Sequence, residues 1–252
     1  MTNLFIYFSI FLINLSCGSS NLGQEGTIPP SHSSFDALLR MHVSDHGMVD
    51  YKGFIADGDK LNAYLKLLSN NPPDRNAWSD AEQLAYWINA YNAYTIKLII
   101  NHYPVESIKD IRPKLSIPVV NTVWHLEFFN IGGKPASLDE IEHKILRKEF
   151  DEPRIHFAIN CASISCPRLW NRAYSAKNLA AELEQAARSF INDPNYNVLT
   201  DNHAALSSLF SWFSSDFTKN GSLVDFINQY ATKPLKKSAK ISYKDYNWSL
   251  NE

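Results

Sequence analysis

The sequence predicts a helix-rich α+β fold in a single domain with a small, mainly antiparallel sheet, and three observations carry that expectation. A long run from Asp80 to His102 keeps helical spacing while being apolar on most sides, as a helix at the centre of a domain must be. Shorter amphipathic runs of the same period recur before and after it. The alternating runs are brief and bounded by Gly, Pro and Asn, enough for a few short strands. With 252 residues and no internal repeat, one core is the simplest arrangement.

Composition narrows the partners. A formal net charge of -2 leaves no basic field for a phosphate backbone, so nucleic acid is excluded. Aromatic residues make up 13% of the chain, with six Trp and twelve Tyr, which predicts large rings in the core and some ring-lined surface.

Residues 1–16 carry no charge, and the apolar run Leu4-Phe-Ile-Tyr-Phe-Ser-Ile-Phe-Leu-Ile-Asn-Leu15 is too short to span a bilayer. It stands where a secretory signal stands, and its end, Ser16-Cys17-Gly18-Ser19-Ser20, resembles a bacterial lipoprotein signal. The expected organisation is a signal peptide over 1–16, a polar linker over 17–34 with Cys17 lipidated, and a globular domain over 35–252. Asn14 replaces the usual Leu and no Lys or Arg precedes the run, so cleavage elsewhere by an ordinary signal peptidase stays open. The protein is then exported to the cell envelope and meets the membrane only through that lipid. Cys161 and Cys166 become its remaining thiols.

Along the domain, residues 35–42 and 60–68 have helical spacing, the second stopped by Asn70-Asn71-Pro72-Pro73. The central helix has Ser79 among its N-cap candidates and Pro104 beyond its end. Its wet sector is narrow and holds Gln83, Tyr86, Lys97 and Asn101, which leaves Asn89 and Asn92 on buried faces. A buried amide without partners costs about 1–3 kcal/mol, so each must either bond backbone or orient a functional group. Residues 119–129 read as a strand around Trp124, Leu126 and Phe128, followed by a turn at Gly132-Gly133. Ser137 with Glu140 forms a capping-box pattern for a helix carrying Glu142, His143 and Arg147.

The richest stretch is Arg154-Ile-His-Phe-Ala-Ile-Asn-Cys-Ala-Ser-Ile-Ser-Cys-Pro167. Alternation of Ile155, Phe157 and Ile159 predicts a short buried strand delivering Cys161 at its end. Pro167 suits the first turn of a helix through Arg168, Leu169 and Trp170, with Cys166 as its N-cap. Beyond it, residues 175–190 form an amphipathic helix, Val198 and Leu199 a short strand, and 206–213 and 223–230 two packed segments. Asp216 reads as a cap, four lysines over 233–240 as a solvated tail, and 241–248 as a returning strand.

Trp87-Ile-Asn-Ala-Tyr-Asn92, Ser137-Leu-Asp-Glu-Ile-Glu-His143 with Ile145-Leu-Arg147, and the 154–167 stretch, in this order and spacing, resemble the domain of unknown function 547 over roughly residues 80–188. Phe210-Ser-Trp-Phe-Ser-Ser-Asp-Phe217 resembles a frequent companion block. The resemblance implies that the Cys161 position is kept more widely than that of Cys166, and that bacterial members are often exported. It also raises a distant relation to papain-like or transglutaminase-like cysteine hydrolases in permuted order.

A catalytic thiol needs a lowered pKa and access to substrate. Cys161 is favoured as that nucleophile, with free backbone N–H groups of a turn over 162–165 as an oxyanion hole. On a strand, His156 would stand roughly 16 Å from Cys161, so His143 competes with it as the base. Adjacent helix positions point about 100° apart, which sets Glu142 and His143 in different directions and leaves Asn89, Asn92 or Asp216 to hold an imidazole. Catalytic candidates are therefore Cys161, His143, His156, Glu142 and Asn89, with Asn92, Arg147, Arg154, Ser163 and Cys166 as binding or orienting groups. Three readings stay open: a cysteine hydrolase or acyltransferase acting on an amide or ester of a small or peptide-like envelope substrate; a non-catalytic envelope domain with a Cys161–Cys166 disulfide; and a zinc site from His143, His156, Cys161 and Cys166, whose spacing matches no standard zinc motif. No cofactor and no resident metal enter the first two.

Overall fold

A computed structural model describes residues 28–111 and 122–252. The signal peptide over 1–16 and lipid attachment at Cys17 lie outside the described residues, as does the start of the 119–129 run. The domain opens with α1 (Ser33–His42), α2 (Tyr51–Ala56) and α3 (Gly58–Asn70), which pack around α4 (Asp80–His102). A 3-10 turn (Val123–His125) leads into the antiparallel hairpin β1 (Phe129–Ile131) and β2 (Lys134–Ala136). A π-helical segment (Glu140–Leu146) runs into α5 (Arg147–Glu149), and a 3-10 helix (Pro153–Phe157) precedes the cysteine stretch. Then come α6 (Leu179–Asn192), β3 (Val198–Thr200), β4 (His203–Leu206), α7 (Leu209–Trp212), α8 (Ser214–Phe217), α9 (Leu223–Tyr230) and β5 (Lys240–Tyr243). β4 lies between an antiparallel β3 and a parallel β5. The result is the expected helix-rich α+β domain, with its strands split between two small sheets.

α4 begins where Ser79 accepts from the Glu82 amide and Glu82 returns a bond to the Ser79 amide. Two of the backbone donors left open at the helix start are thereby satisfied. Ile88, Tyr91 and Ile99 are fully buried, and burying each such side chain stabilises the fold by about 1.5–3 kcal/mol. The sector expected to be wet is so only toward its C-terminal end, where Lys97 is half-buried and Asn101 exposed. Gln83 and Tyr86 are buried, because α3 covers that side and supplies the Leu68 carbonyl to the Tyr86 hydroxyl. Asn89 donates to the Tyr174 carbonyl and accepts from the Tyr174 amide. Asn92 does the same for the Ala158 carbonyl and the Asn160 amide. These paired bonds clamp two irregular segments onto α4 and satisfy buried backbone groups that no strand or helix serves.

Three local expectations are corrected. Residues 153–157 form a 3-10 helix instead of a strand: Pro153 fixes a helical φ at its start and the Glu152 carboxylate caps the Arg154 amide. Around Trp124 the chain turns, and pairing begins only at Phe129. No helix follows Pro167: its carbonyl is taken by the Asn160 side chain, and residues 167–170 form no regular element, with Leu169 and Trp170 buried in the core. Gly47 lies so close to this run that a Cβ there would stand 2.5 Å from the Arg168 Cβ. Among the described residues no helix is long and apolar enough to cross a membrane.

Candidate functional site

The turn after Asn160 is held by side chains. Asn160 accepts from the Ala162 amide and donates to the Pro167 carbonyl, closing the loop that carries both cysteines. Ala162 has φ +59°, a left-handed conformation that a Cβ disfavours, immediately after Cys161. The C-terminal segment fastens the loop from outside: Ile164 and Ser165 donate to the carbonyls of Ser249 and Asn247, and Ser163 bridges to Leu250.

Cys161 lines a cleft of about 240 Å³ together with Glu142, His143, His156 and Cys166. Its sulfur stands 3.1 Å from the Ser163 hydroxyl and 3.2 Å from the Tyr246 hydroxyl, which are themselves 3.1 Å apart. A contact from Cys166, followed by those from Ser163 and Tyr246, outweighs burial and lowers the Cys161 thiol to about 7. Burial pushes Cys166 the other way, well above the usual thiol range, and its sulfur accepts the Cys161 amide at 2.9 Å. Both cysteines are free thiols, so the disulfide of the alternative reading is not formed. The Cys166 sulfur instead bonds the Cys161 amide and the Ile159 carbonyl.

Glu142 and His143 both face the cleft. They still turn to different partners, Glu142 inward to Tyr91 and His143 to Arg147, as adjacent helical positions do, and the cavity is wide enough to be lined by both. Glu142 is buried, receives the Tyr91 hydroxyl at 3.0 Å, and is raised to about 7, chiefly by burial. Residues 153–157 are a 3-10 helix, which removes the strand basis for separating His156 from Cys161, and both line the same cavity.

Behind the imidazoles lies one ion pair. Arg147 contacts both Asp216 oxygens, at 2.6 and 3.0 Å, and also donates to His143 Nδ1 at 2.7 Å. Asp216 accepts from His156 Nε2 at 2.8 Å. Burial alone would raise Asp216, but the bonds from His156 and Arg147 hold it well below the usual carboxylate range. Phe213 supports the group: the His156 ring stacks on it at 4.0 Å and the Arg147 guanidinium lies 4.9 Å from its centroid. Asp216 is thus a partner for two functional groups, where the sequence favoured a cap.

The rest of the cleft is aromatic. Trp212 and Trp248 stack at 5.7 Å, Tyr246 lies 4.5 Å from Trp248, and Trp124 meets Trp248 edge-on. Sequence reasoning missed Tyr246, Trp212, Trp248, His125 and Asp139. The spacing of Asp139 to His143, one helical turn, was a usable signal; nothing local marks Tyr246 or Trp248. Other candidates lie elsewhere. Asn89 and Asn92 are spent on backbone, and Arg154 pairs with Glu152 and Glu184 beside a separate depression. Among the described residues no group of three or more His, Cys, Asp or Glu is placed to hold a metal ion, so the zinc arrangement is not formed.

The model of a family described as "Protein of unknown function, DUF547" matches residues 75–191, which supports the resemblance carried by the three sequence blocks. The matched region supplies Glu142, His143, Arg147, His156 and both cysteines; Asp216, Trp212, Tyr246 and Trp248 come from beyond it. No curated protein and no solved structure matches the chain.

Proposed function

We propose that the protein is a cysteine-dependent hydrolase or acyltransferase that takes an acyl group from an ester or amide onto Cys161. The observation that carries this is a thiol lowered to about 7 in a cleft that also holds an imidazole backed by a carboxylate. His156 donates Nε2–H to Asp216 and so keeps a lone pair on Nδ1. That nitrogen takes the thiol proton as sulfur adds to the carbonyl carbon and the π pair moves to oxygen. When the carbonyl re-forms, the bond to the alkoxide or amine breaks and the leaving group takes the proton from His156. Water, or an acceptor hydroxyl or amine, then attacks the thioester while giving its proton to His156, and sulfur departs as thiolate.

The tryptophan and tyrosine wall suits an apolar or planar acyl group, and the modest volume suits a small or peptide-like substrate. The distant relation to papain-like and transglutaminase-like hydrolases belongs to this proposal. So does action at the cell envelope, which rests on the apolar run over 4–15 and Cys17. The test is intact-mass analysis of the purified protein after exposure to p-nitrophenyl butyrate. A butyryl adduct that maps to Cys161 is expected; no adduct at Cys161 with any ester would sink the proposal.

A further inference from the structure

An acyl-transfer site must place hydrogen-bond donors where the carbonyl oxygen becomes negative, and the turn after Cys161 cannot do so with its backbone. The Cys161 amide is given to Cys166, Ala162 to Asn160, Ile164 to Ser249, Ser165 to Asn247 and Cys166 to the Ser163 carbonyl. The Ser163 amide is directed at the Cys161 sulfur. The expected backbone oxyanion hole is therefore spent on holding the loop. Two cleft hydroxyls are spent as well, Tyr246 on Cys161 and Ser163, and Tyr91 on Glu142.

We propose that His143 is the hydrogen-bond donor for the developing oxyanion, with its proton fixed on Nε2 by Arg147. The inference rests on the acyl-transfer reading above. A guanidinium has only donors, so the 2.7 Å contact from Arg147 requires a lone pair on His143 Nδ1 and leaves the proton on Nε2. Among the described residues Nε2 makes no hydrogen bond; the Asp139 carboxylate stands 3.8 Å from it, within ion-pair reach but beyond a hydrogen bond, and the His143 side chain is 40% exposed and lines the cleft. Arg147 cannot swing away, because Asp216 grips it through both oxygens and Phe213 lies beneath it. Burial, aided by the charges of Arg147 and His125, outweighs the opposing Asp139 and Asp216 carboxylates and lowers the His143 pKa, which favours the neutral ring. A neutral imidazole aimed by its surroundings is an effective donor to a polarised carbonyl. One ion pair thus gives two histidines opposite duties: Asp216 leaves His156 with a lone pair for a proton, and Arg147 leaves His143 with a proton to share. Arg147 and Asp216 are positioning residues.

The test compares two reactions of Cys161 in the purified protein. Acylation by p-nitrophenyl butyrate passes through an oxyanion; alkylation by iodoacetamide does not. His143→Ala is expected to slow acylation about a hundredfold while alkylation changes by less than about threefold, and His143→Gln, which keeps an N–H donor, to recover part of the loss. Arg147→Met should slow acylation in the same direction and raise the His143 titration followed by ¹⁵N NMR, where the wild type shows the Nε2–H tautomer. Acylation and alkylation falling together in His143→Ala would make His143 a base and overturn the proposal. So would unchanged acylation, or a loss found only in Trp124→Phe, Trp212→Phe or Trp248→Phe, which would hand the role to an indole. A wild type that alkylates at Cys161 but never acylates would overturn the acyl-transfer reading itself.

Discussion

α4 and the cleft beside it are built on opposite plans. The helix is regular, satisfies its backbone internally and buries rings on nearly every side. The cleft is assembled from a π-helical segment, a 3-10 turn, a loop and a C-terminal strip, each held by side-chain bonds to backbone. The contrast teaches a division of labour: asparagines of α4 provide anchorage, and the irregular pieces so anchored carry the groups proposed to react. Damage to the first should cost stability and spare the chemistry, and damage to the second should do the reverse.

Four variants put that division under strain. The largest effect is expected from Cys161→Ala, which should abolish acyl-adduct formation while leaving the thermal midpoint within about 2 °C, read by mass spectrometry and calorimetry. Asn89→Ala strands the buried amide and carbonyl of Tyr174 and should cost about 2–5 kcal/mol in urea unfolding, with Cys161 alkylation in the folded protein unchanged. A fall in alkylation rate there would erase the distinction between anchor and reactive group.

Glu142 blurs the boundary and so sharpens it. Its carboxyl titrates near 7 in the fold and near 4.5 when unfolded. Between those values the unfolded chain releases the proton and the folded chain retains it, so stability falls as pH rises through this window. The loss should total about 3 kcal/mol by pH 8, and Glu142→Gln should remove the slope in urea titrations at pH 5 and pH 8. The smallest effect belongs to Trp212→Ala at the exposed rim. It should raise KM for an apolar ester by about fivefold, near 1 kcal/mol, with kcat and stability nearly constant.

The legibility of the sequence follows the same division. The bounds of α4 were readable because Ser79, Glu82 and Pro104 act within a few residues of the ends they set. Asn89 and Asn92 were recognised as buried, but the choice between anchor and catalyst depended on segments tens of residues away. Ile155, Phe157 and Ile159 alternate as a strand would, yet Pro153 and the Glu152 cap win over so short a run. With a 3-10 helix there, the strand basis for separating His156 from Cys161 is gone. Cys161, His143, Glu142 and Cys166 were all named from the sequence and do share one cavity. Tyr246 and Trp248 were taken as strand residues because β5 does begin nearby; their departure from it is fixed by contacts with Trp212 and Trp124, for which no periodicity exists.

The Tyr246 contact also sets an order of events during synthesis. Cys161 precedes its hydroxyl partner by 85 residues, an interval of roughly 4–17 s at ordinary translation rates. Through that interval the nascent chain can carry α4 and its clamps, but its thiol lacks the phenol and the Asn247–Ser249 strip that brace the loop. The contacts from Cys166 and Ser163 are local to the loop, so what the nascent chain lacks until its end has docked is the share of the lowering that Tyr246 supplies. The full set of contacts on this sulfur is therefore complete only when residues at both ends of an 85-residue interval have met.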